Sequence, residues 1–247
     1  MPRLARIDIP GLLQHVMVRG IEKRDIFFDD KDRSQFLERL SHLLVESGTD
    51  CLAWVLMSNH FHLLLRPTKS KLSTTMRRLL TGYAVVFNLR HKRTGHLFQN
   101  RYKSILCDED SYLLELVAYI HLNPYRGQLV KTVAELEHYK WSGHRGIMGY
   151  EALAGHTVDE VLAFFGSDSR TAQAKYLQFV EERANLGRRD ELVGGGLKRY
   201  LLLSGSTEHQ AWDDRVLGSG EFVEQLCVGS KPNIRKSLLD NSSRWMI

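Results

Sequence analysis

The chain has 247 residues, 43% of them hydrophobic and 26% charged, and a formal net charge of +5. This length allows one large domain or a main domain with an appendage, with enough core to fold without disulfide bonds. The cysteines, Cys51, Cys107 and Cys227, are odd in number and far apart, which is typical of a reducing cytoplasm. We also expect neither secretion nor membrane insertion, because no leader pattern and no uncharged span is present.

Four segments of the first half have strand patterns. They cover residues 12–19, 50–57, 60–66 and 102–107. Because only Ser58 and Asn59 separate the second segment from the third, we expect these two strands to pair as a hairpin. Pro67 ends the third strand, since proline has no amide hydrogen to offer a sheet.

Three helices alternate with those strands. The spacing of apolar residues predicts them from residue 29 or 30 to about 44, from 73 or 74 to about 87, and from 108 to about 122. Pro124 forces the third helix to stop there or just before. The order β-α-β-β-α-β-α predicts a ferredoxin-like α+β fold: an antiparallel four-stranded sheet with helices on one face, plus an added helix.

Beyond residue 130 the sequence favours helices. They are predicted at residues 133–139, 158–165 and 171–184. We expect a loop or turn at the triple glycine 194–196, and no phosphate-binding loop, because no Gly-Lys-Ser/Thr follows. Residues from 229 onward are polar and basic, and we expect them to be loosely ordered. We therefore divide the chain into a domain of residues 1–150 and a helical C-terminal extension of residues 151–247.

A pair of histidines lies within one predicted strand. His60 and His62 are two residues apart, so they would point to one face of the sheet while Phe61 points to the other, into a core. Two imidazoles on one face are half of a metal site. The alternative is that both are ordinary semi-buried histidines.

Positive charge is concentrated in one quarter of the chain. Between residues 60 and 107 there are ten Lys or Arg and no Asp or Glu, which leaves 24 Lys or Arg against 29 Asp or Glu elsewhere. Like charges repel, so an acid-free basic block favours a polyanionic partner such as nucleic acid. The alternative is an ordinary basic surface.

A candidate nucleophile lies on the helix before Pro124. Tyr119 and Asn123 are four residues apart, so they project from one helix face. Tyr119 could act as a nucleophile and Asn123 as a third, oxygen ligand, whereas His121 points to the opposite side. The alternative is that Tyr119 packs in the core and Asn123 ends the helix.

Taken together, these motifs resemble those of the REP-associated tyrosine transposases, which belong to the single-tyrosine HUH superfamily of insertion-sequence transposases. The resemblance covers residues 10–150. It is carried by His15-Val16-Met17-Val18-Arg19-Gly20, Ile26-Phe27, Met57-Ser58-Asn59-His60-Phe61-His62-Leu63-Leu64-Leu65, Gly95-His96-Leu97-Phe98-Gln99-Asn100-Arg101-Tyr102-Lys103, Tyr119-Ile120-His121-Leu122-Asn123-Pro124, Trp141-Ser142 and His144-Arg145.

The resemblance implies roles for individual residues. Tyr119 matches the catalytic tyrosine, His60 and His62 match the two histidine ligands, and Asn123 matches the polar third ligand of Mg²⁺ or Mn²⁺. The implied reaction is cleavage and rejoining of single-stranded DNA, at hairpin-forming palindromic repeats, through a 5′-phosphotyrosine. We also expect a monomer or homodimer. The residues expected to bind the DNA phosphates are Arg90, Lys92, Arg93, His96, Gln99, Arg101 and Lys103.

Two departures from the family leave an alternative open. Tyr125 follows Pro124 where relatives commonly have a small aliphatic residue, and it is a second tyrosine close to the first. Relatives often continue into a helical, DNA-binding C-terminal segment. Residues 221–226 resemble the residues that lead into this segment, but the sequence stops at residue 247. The alternative function is therefore a catalytically decayed or domesticated protein that binds DNA or RNA hairpins. A replication initiator or relaxase is less well matched, because the tyrosine follows the histidines by about sixty residues.

Overall fold

A computed structural model describes residues 6–187, 189, 192 and 215–229. Its centre is a five-stranded sheet of order β2-β3-β1-β4-β5. The strands are β1 (Leu13–Arg19), β2 (Thr49–Leu56), β3 (His60–Pro67), β4 (Lys103–Cys107) and β5 (Val216–Leu217). The first four strands are antiparallel and have the ferredoxin-like order, whereas β5 pairs in parallel with β4. The α+β class is thus confirmed, and the sheet has one strand more than predicted.

The described helices alternate with these strands and continue beyond them. They are α1 (Asp30–Ser47), α2 (Leu72–Arg90), α3 (Glu109–His121), α4 (Asn123–Arg126), α5 (His144–Ile147), α6 (Val158–Ala163), α7 (Ser169–Ala184) and α8 (Gly220–Gly229), with 3-10 helices at Ile21–Lys23 and Ala134–His138. None of them is both long and apolar enough to cross a membrane.

The predicted hairpin between β2 and β3 is confirmed. The Met57 amide donates to the His60 carbonyl at 2.8 Å, so Ser58 and Asn59 form the turn. The turn fixes the register of β3, and with it the face to which every β3 side chain points.

The sheet has helices on both faces rather than on one. α1 and α2 pack on the first face, where Phe36 and Phe61 are fully buried with ring centroids 4.7 Å apart. α3 and α7 pack on the second face, around Leu64, Ile120 and Tyr176. The prediction left this second face partly open, whereas apolar side chains of α3, which follows β4, and of the later helices are buried against it. The histidine face is therefore partly covered by α3.

The end of α3 agrees with the sequence. The helix stops at His121, and Pro124 lies in the first turn of α4, where its missing amide hydrogen does no harm. Two of the predicted later helices correspond to α6 and α7, and the predicted helix at 133–139 is a short 3-10 helix.

The C-terminal predictions are only partly covered. Residues 221–226 lie within α8, whereas the glycines at 194–196 and the chain from 230 onward lie outside the described residues. The division at residue 150 stays a prediction. Of the described helices beyond it, α6 and α7 share a core with α3, since Val161, Tyr176 and Val180 pack with Leu116 and Ile120.

Candidate active site

His60 and His62 lie side by side on β3. Their ring centroids are 5.3 Å apart, and His62 is 6% exposed whereas His60 is half-buried. Phe61 points into the opposite core, as the alternation of a strand requires. The two imidazoles therefore share the face that α3 covers.

Tyr119 crosses above the sheet close to these histidines. Its ring centroid lies 6.0 Å from that of His62 and 5.9 Å from that of His15, which is on the adjacent strand β1. The guanidinium carbon of Arg126, the last residue of α4, lies 5.3 Å from the Tyr119 ring centre. The structure thus brings the predicted tyrosine and the predicted histidine pair together.

A cleft of about 360 Å³ opens beside the two histidines. Of the residues predicted to grip phosphate, Gln99, Arg101 and Lys103 line it. Arg19 also lines it, and it lies directly opposite His60 in the pairing of β1 with β3. The cleft is therefore rimmed by positive charge.

A second groove, of about 580 Å³, adjoins this cleft between α2 and the loop before β4. The two share Gln99 and Arg101, and the groove adds the predicted residue His96. Leu80 and Val85 of α2 give it an apolar wall. The groove thus combines an apolar wall with a basic rim.

The other three predicted grip residues lie where α2 ends. Lys92 is exposed and Arg93 has its guanidinium carbon 5.5 Å from the Phe87 ring centre. Arg90 forms ion pairs with Asp29 at 2.6 Å and with the buried carboxylate of Asp32. Both acids lie before the basic block in the sequence. In the folded chain, acidic residues from outside the block therefore neutralise part of its charge.

Burial keeps the site histidines neutral. It lowers the pKa of His60 to about 4, aided by the nearby positive charge of Arg19. It lowers the pKa of His62 well below the ordinary value, and the adjacent His15 and His60 contribute further. Neutral imidazole has a free lone pair, which a metal ligand needs.

Asn123, the first residue of α4, is positioned by the last turn of α3. Its side-chain amide donates to the carbonyl of Tyr119 at 2.9 Å and to that of Ile120 at 3.2 Å. Both amide hydrogens are directed back to α3, so the side-chain oxygen is the atom that remains for a ligand. Within the described ranges, no three His, Cys, Asp or Glu side chains are grouped for metal binding. An ion here would thus need amide, water or substrate oxygens beside the imidazoles.

Two contacts at this site were missed by the sequence analysis. Asn59 accepts from His60, with its Oδ1 2.6 Å from Nδ1 of His60, and His15 lies 2.9 Å from His62 through ring nitrogens. Both residues belong to the motifs that carry the family resemblance, but strand and turn patterns give no sign of these contacts.

The segment of the chain that carries these residues resembles a known family. Residues 9–123 match the family model described as "Transposase IS200 like". This segment, just under half of the chain, is therefore similar in sequence to the IS200-like transposases. The resemblance predicted from the motifs is confirmed over this segment.

One solved structure has the same fold over most of its length. It is described as a REP-associated tyrosine transposase bound to a REP hairpin; the match has a TM-score of 0.50 and 19% identity, and it covers 60% of this chain and 87% of that one. At this identity the likeness concerns the fold.

Two further structural matches are too weak to bear on fold or function. A bacterial tRNA(His) guanylyltransferase-like protein in complex with GTP has a TM-score of 0.31 and 13% identity, covering 47% of this chain and 68% of that one. The tRNA(His) guanylyltransferase from Saccharomyces cerevisiae has a TM-score of 0.37 and 11% identity, covering 77% and 86%. No curated protein matches the chain.

Proposed function

We propose that this protein is a metal-dependent endonuclease and strand transferase that acts on single-stranded DNA at hairpin-forming palindromic repeats. The main support is the short distance between Tyr119 and His62, whose ring centroids lie 6.0 Å apart. His62 itself lines a cleft that Arg19, Arg101 and Lys103 also line. A tyrosine there has the chemistry of a nucleophile, and the cations suit a phosphodiester.

His60, His62 and the side-chain oxygen of Asn123 would hold Mg²⁺ or Mn²⁺. Two neutral imidazoles and an amide oxygen fit such an ion, because mixed nitrogen and oxygen ligation leaves positions for water and substrate oxygens. The bound ion would polarise the scissile phosphate and offset the charge that develops there.

In the proposed reaction, the Tyr119 hydroxyl oxygen attacks the phosphorus, and the bond from phosphorus to the 3′ oxygen breaks. The phenol loses its proton and the departing 3′ oxygen gains one, which leaves a 5′-phosphotyrosine and a 3′-hydroxyl. Because the phosphodiester bond is exchanged and not hydrolysed, a second 3′-hydroxyl can reverse the step without ATP.

Positioning of the DNA would fall to the cleft and the groove beside it. Arg101 and Lys103 would hold backbone phosphates, and unpaired bases would lie along the groove between α2 and the loop before β4. The structurally similar transposase is described as bound to a REP hairpin, which supports a hairpin substrate.

Trapping of a covalent intermediate tests this proposal. The protein, incubated with Mn²⁺ and a hairpin-tailed single strand labelled 3′ of the cleavage site, should give a protein-linked labelled fragment on a denaturing gel. Tyr119→Phe should abolish that adduct, whereas the neighbouring Tyr125→Phe should keep it.

The same gel separates catalysis from binding alone. Intact hairpin binding without any adduct from the unmodified protein would favour a hairpin-binding protein that has lost catalysis. An adduct that persists in Tyr119→Phe and disappears in Tyr125→Phe would assign the nucleophile to Tyr125.

A further inference from the structure

Both site histidines use the Nδ1 nitrogen for a hydrogen bond within the protein. Nδ1 of His60 lies 2.6 Å from Oδ1 of Asn59, and Nδ1 of His62 lies 2.9 Å from Nε2 of His15. A neutral imidazole carries its hydrogen on one nitrogen and a lone pair on the other. The partners of the two Nδ1 atoms therefore decide which nitrogen is left for a metal.

The contact of His60 has only one consistent assignment. The Asn59 amide group donates to the Lys23 carbonyl at 2.9 Å, and a carbonyl can only accept. The Asn59 side chain is thereby oriented with its oxygen toward His60. Nδ1 of His60 must donate to that oxygen, so the lone pair of His60 lies on Nε2.

The backbone around residues 20–24 holds the hydrogen bonds between Lys23, Asn59 and His60 in place. Glu22 and Lys23 have positive φ angles of 53° and 61°, a conformation that ordinary side chains seldom adopt. The Asn59 carbonyl accepts from the Gly20 amide at 2.9 Å. A side chain at Gly20 would collide with the Arg24 carbonyl, since a Cβ there would lie 2.1 Å from its oxygen.

The hydrogen bond between His62 and His15 is assigned through the second partner of His15, the Leu192 carbonyl. Nδ1 of His15 lies 3.4 Å from the Leu192 carbonyl, so that nitrogen carries a hydrogen. His15 is fully buried and neither hydrogen-bond partner is an acid, so a charged imidazolium there would be a costly buried charge. Neutral His15 then accepts at Nε2, His62 donates from Nδ1, and the lone pair of His62 also lies on Nε2.

We infer that Asn59 and His15 are positioning residues that hold His60 and His62 in the Nδ1–H form, so that both offer the Nε2 lone pair. The tautomers follow from the hydrogen bonds, and their consequence for a metal rests on the proposed function. The carbonyl of Leu192 thereby takes part in setting the site. His15 itself is no ligand, because its Nε2 faces His62.

Ring-nitrogen NMR on the metal-free protein tests the inference directly. Two-bond ¹H–¹⁵N correlations distinguish the two neutral tautomers, and single His→Gln variants at 60 and 62 assign the signals. We expect both rings in the Nδ1–H form at pH 7.5. An Nε2–H form at either ring would overturn the inference, and this measurement needs no variant at the two positioning residues.

Variants then test whether the two residues cause this state. Asn59→Leu and His15→Leu remove the acceptors, and each should shift the tautomer of its partner and weaken Mn²⁺ binding by about 10- to 100-fold, measured by calorimetry. Asn59→Asp and His15→Gln retain an acceptor oxygen and should keep the tautomer. The exposed His138→Gln is the matched control and should leave Mn²⁺ affinity unchanged.

The outcomes separate this inference from the proposed function. Nδ1–H tautomers in a protein that binds no Mn²⁺ and forms no DNA adduct would leave the positioning roles standing and overturn the proposed function. An Nε2–H tautomer in a protein that cleaves DNA would do the opposite. Unchanged tautomers in both leucine variants, with their fold intact by circular dichroism, would overturn the roles of Asn59 and His15.

Discussion

Single residues of the basic block differ sharply in what they do in the folded chain. Arg66 contacts Asp50 at 3.0 Å, Glu109 at 2.6 Å and Glu160 at 2.6 Å, and its side chain is only 20% exposed. These acids come from β2, from α3 and from α6, so one guanidinium joins three elements. Its charge is therefore used inside the molecule and is not available to a nucleic acid.

Loss of the Arg66 guanidinium should destabilise the fold. Arg66→Gln leaves three carboxylates close together without their shared cation, so we expect the free energy of unfolding to fall by about 1.5–3 kcal/mol in urea denaturation. The exposed Arg77→Gln is the control, with a change of about 0.5 kcal/mol or less. Equal effects of both substitutions would contradict a structural role specific to Arg66.

At the scale of elements, α3, α5 and α7 meet at a buried polar cluster. The Tyr176 hydroxyl on α7 contacts Nδ1 of His121 at 2.8 Å and Nδ1 of His144 at 2.9 Å. All three residues are fully buried. Burial lowers the pKa of His144 to about 4 and that of His121 well below its ordinary value. The cluster attaches the later helices to the helix that carries Tyr119.

Stability should therefore fall as the pH is lowered through the range from about 6.5 to about 4. In this range the unfolded chain binds protons at these histidines, whereas the folded chain excludes them. Each such histidine adds up to about 1.4 kcal/mol per pH unit to the slope, and its contribution is complete above about pH 6.5. Urea denaturation between pH 7.5 and 4.5 measures this slope.

Other buried histidines also contribute to the pH dependence of the unfolding free energy. A substitution at His144 therefore measures the part that comes from this cluster. His144→Gln should make the decline of unfolding free energy with falling pH less steep, and the exposed His138→Gln should not. A slope that is the same in the unmodified protein and in His144→Gln would show that His144 takes up no proton on unfolding.

At the scale of the whole molecule, the positive surface is smaller than the sequence count indicates. Arg66, Arg78 and Arg90 all form ion pairs with acids from outside the block. Arg101 and Lys103 instead line the cleft at the histidines. With Arg19, these two residues place three positive charges around the cleft that holds His60 and His62.

The dependence of DNA binding on salt should report this distribution. Each phosphate contact that is removed lowers the steepness of log K against log salt by about 0.7–1, so we expect Arg101→Gln to lower it by one contact. Arg78→Gln is the matched control, because Glu46 holds that guanidinium at 2.6 Å on another surface. Fluorescence anisotropy with a hairpin-tailed strand at several salt concentrations gives both slopes. Equal slopes in the two variants would argue against a contact at Arg101.

The sequence by itself determined what depends on local order. Strand alternation gave His60 and His62 a common face opposite Phe61, the two-residue turn set the hairpin, and Pro124 ended the helix. These features depend on neighbours within a few residues, which a pattern records. The family followed from the same motifs, and its model matches residues 9–123.

Tertiary structure decided what depends on distant neighbours. His15 reaches His62 across 47 residues, and Arg66 finds Glu160 across 94. The second helical layer and β5 likewise come from far along the chain. No periodicity encodes which remote acceptor meets a given donor, because that choice is made when the packed elements exclude water and each buried polar group takes the partner within its reach.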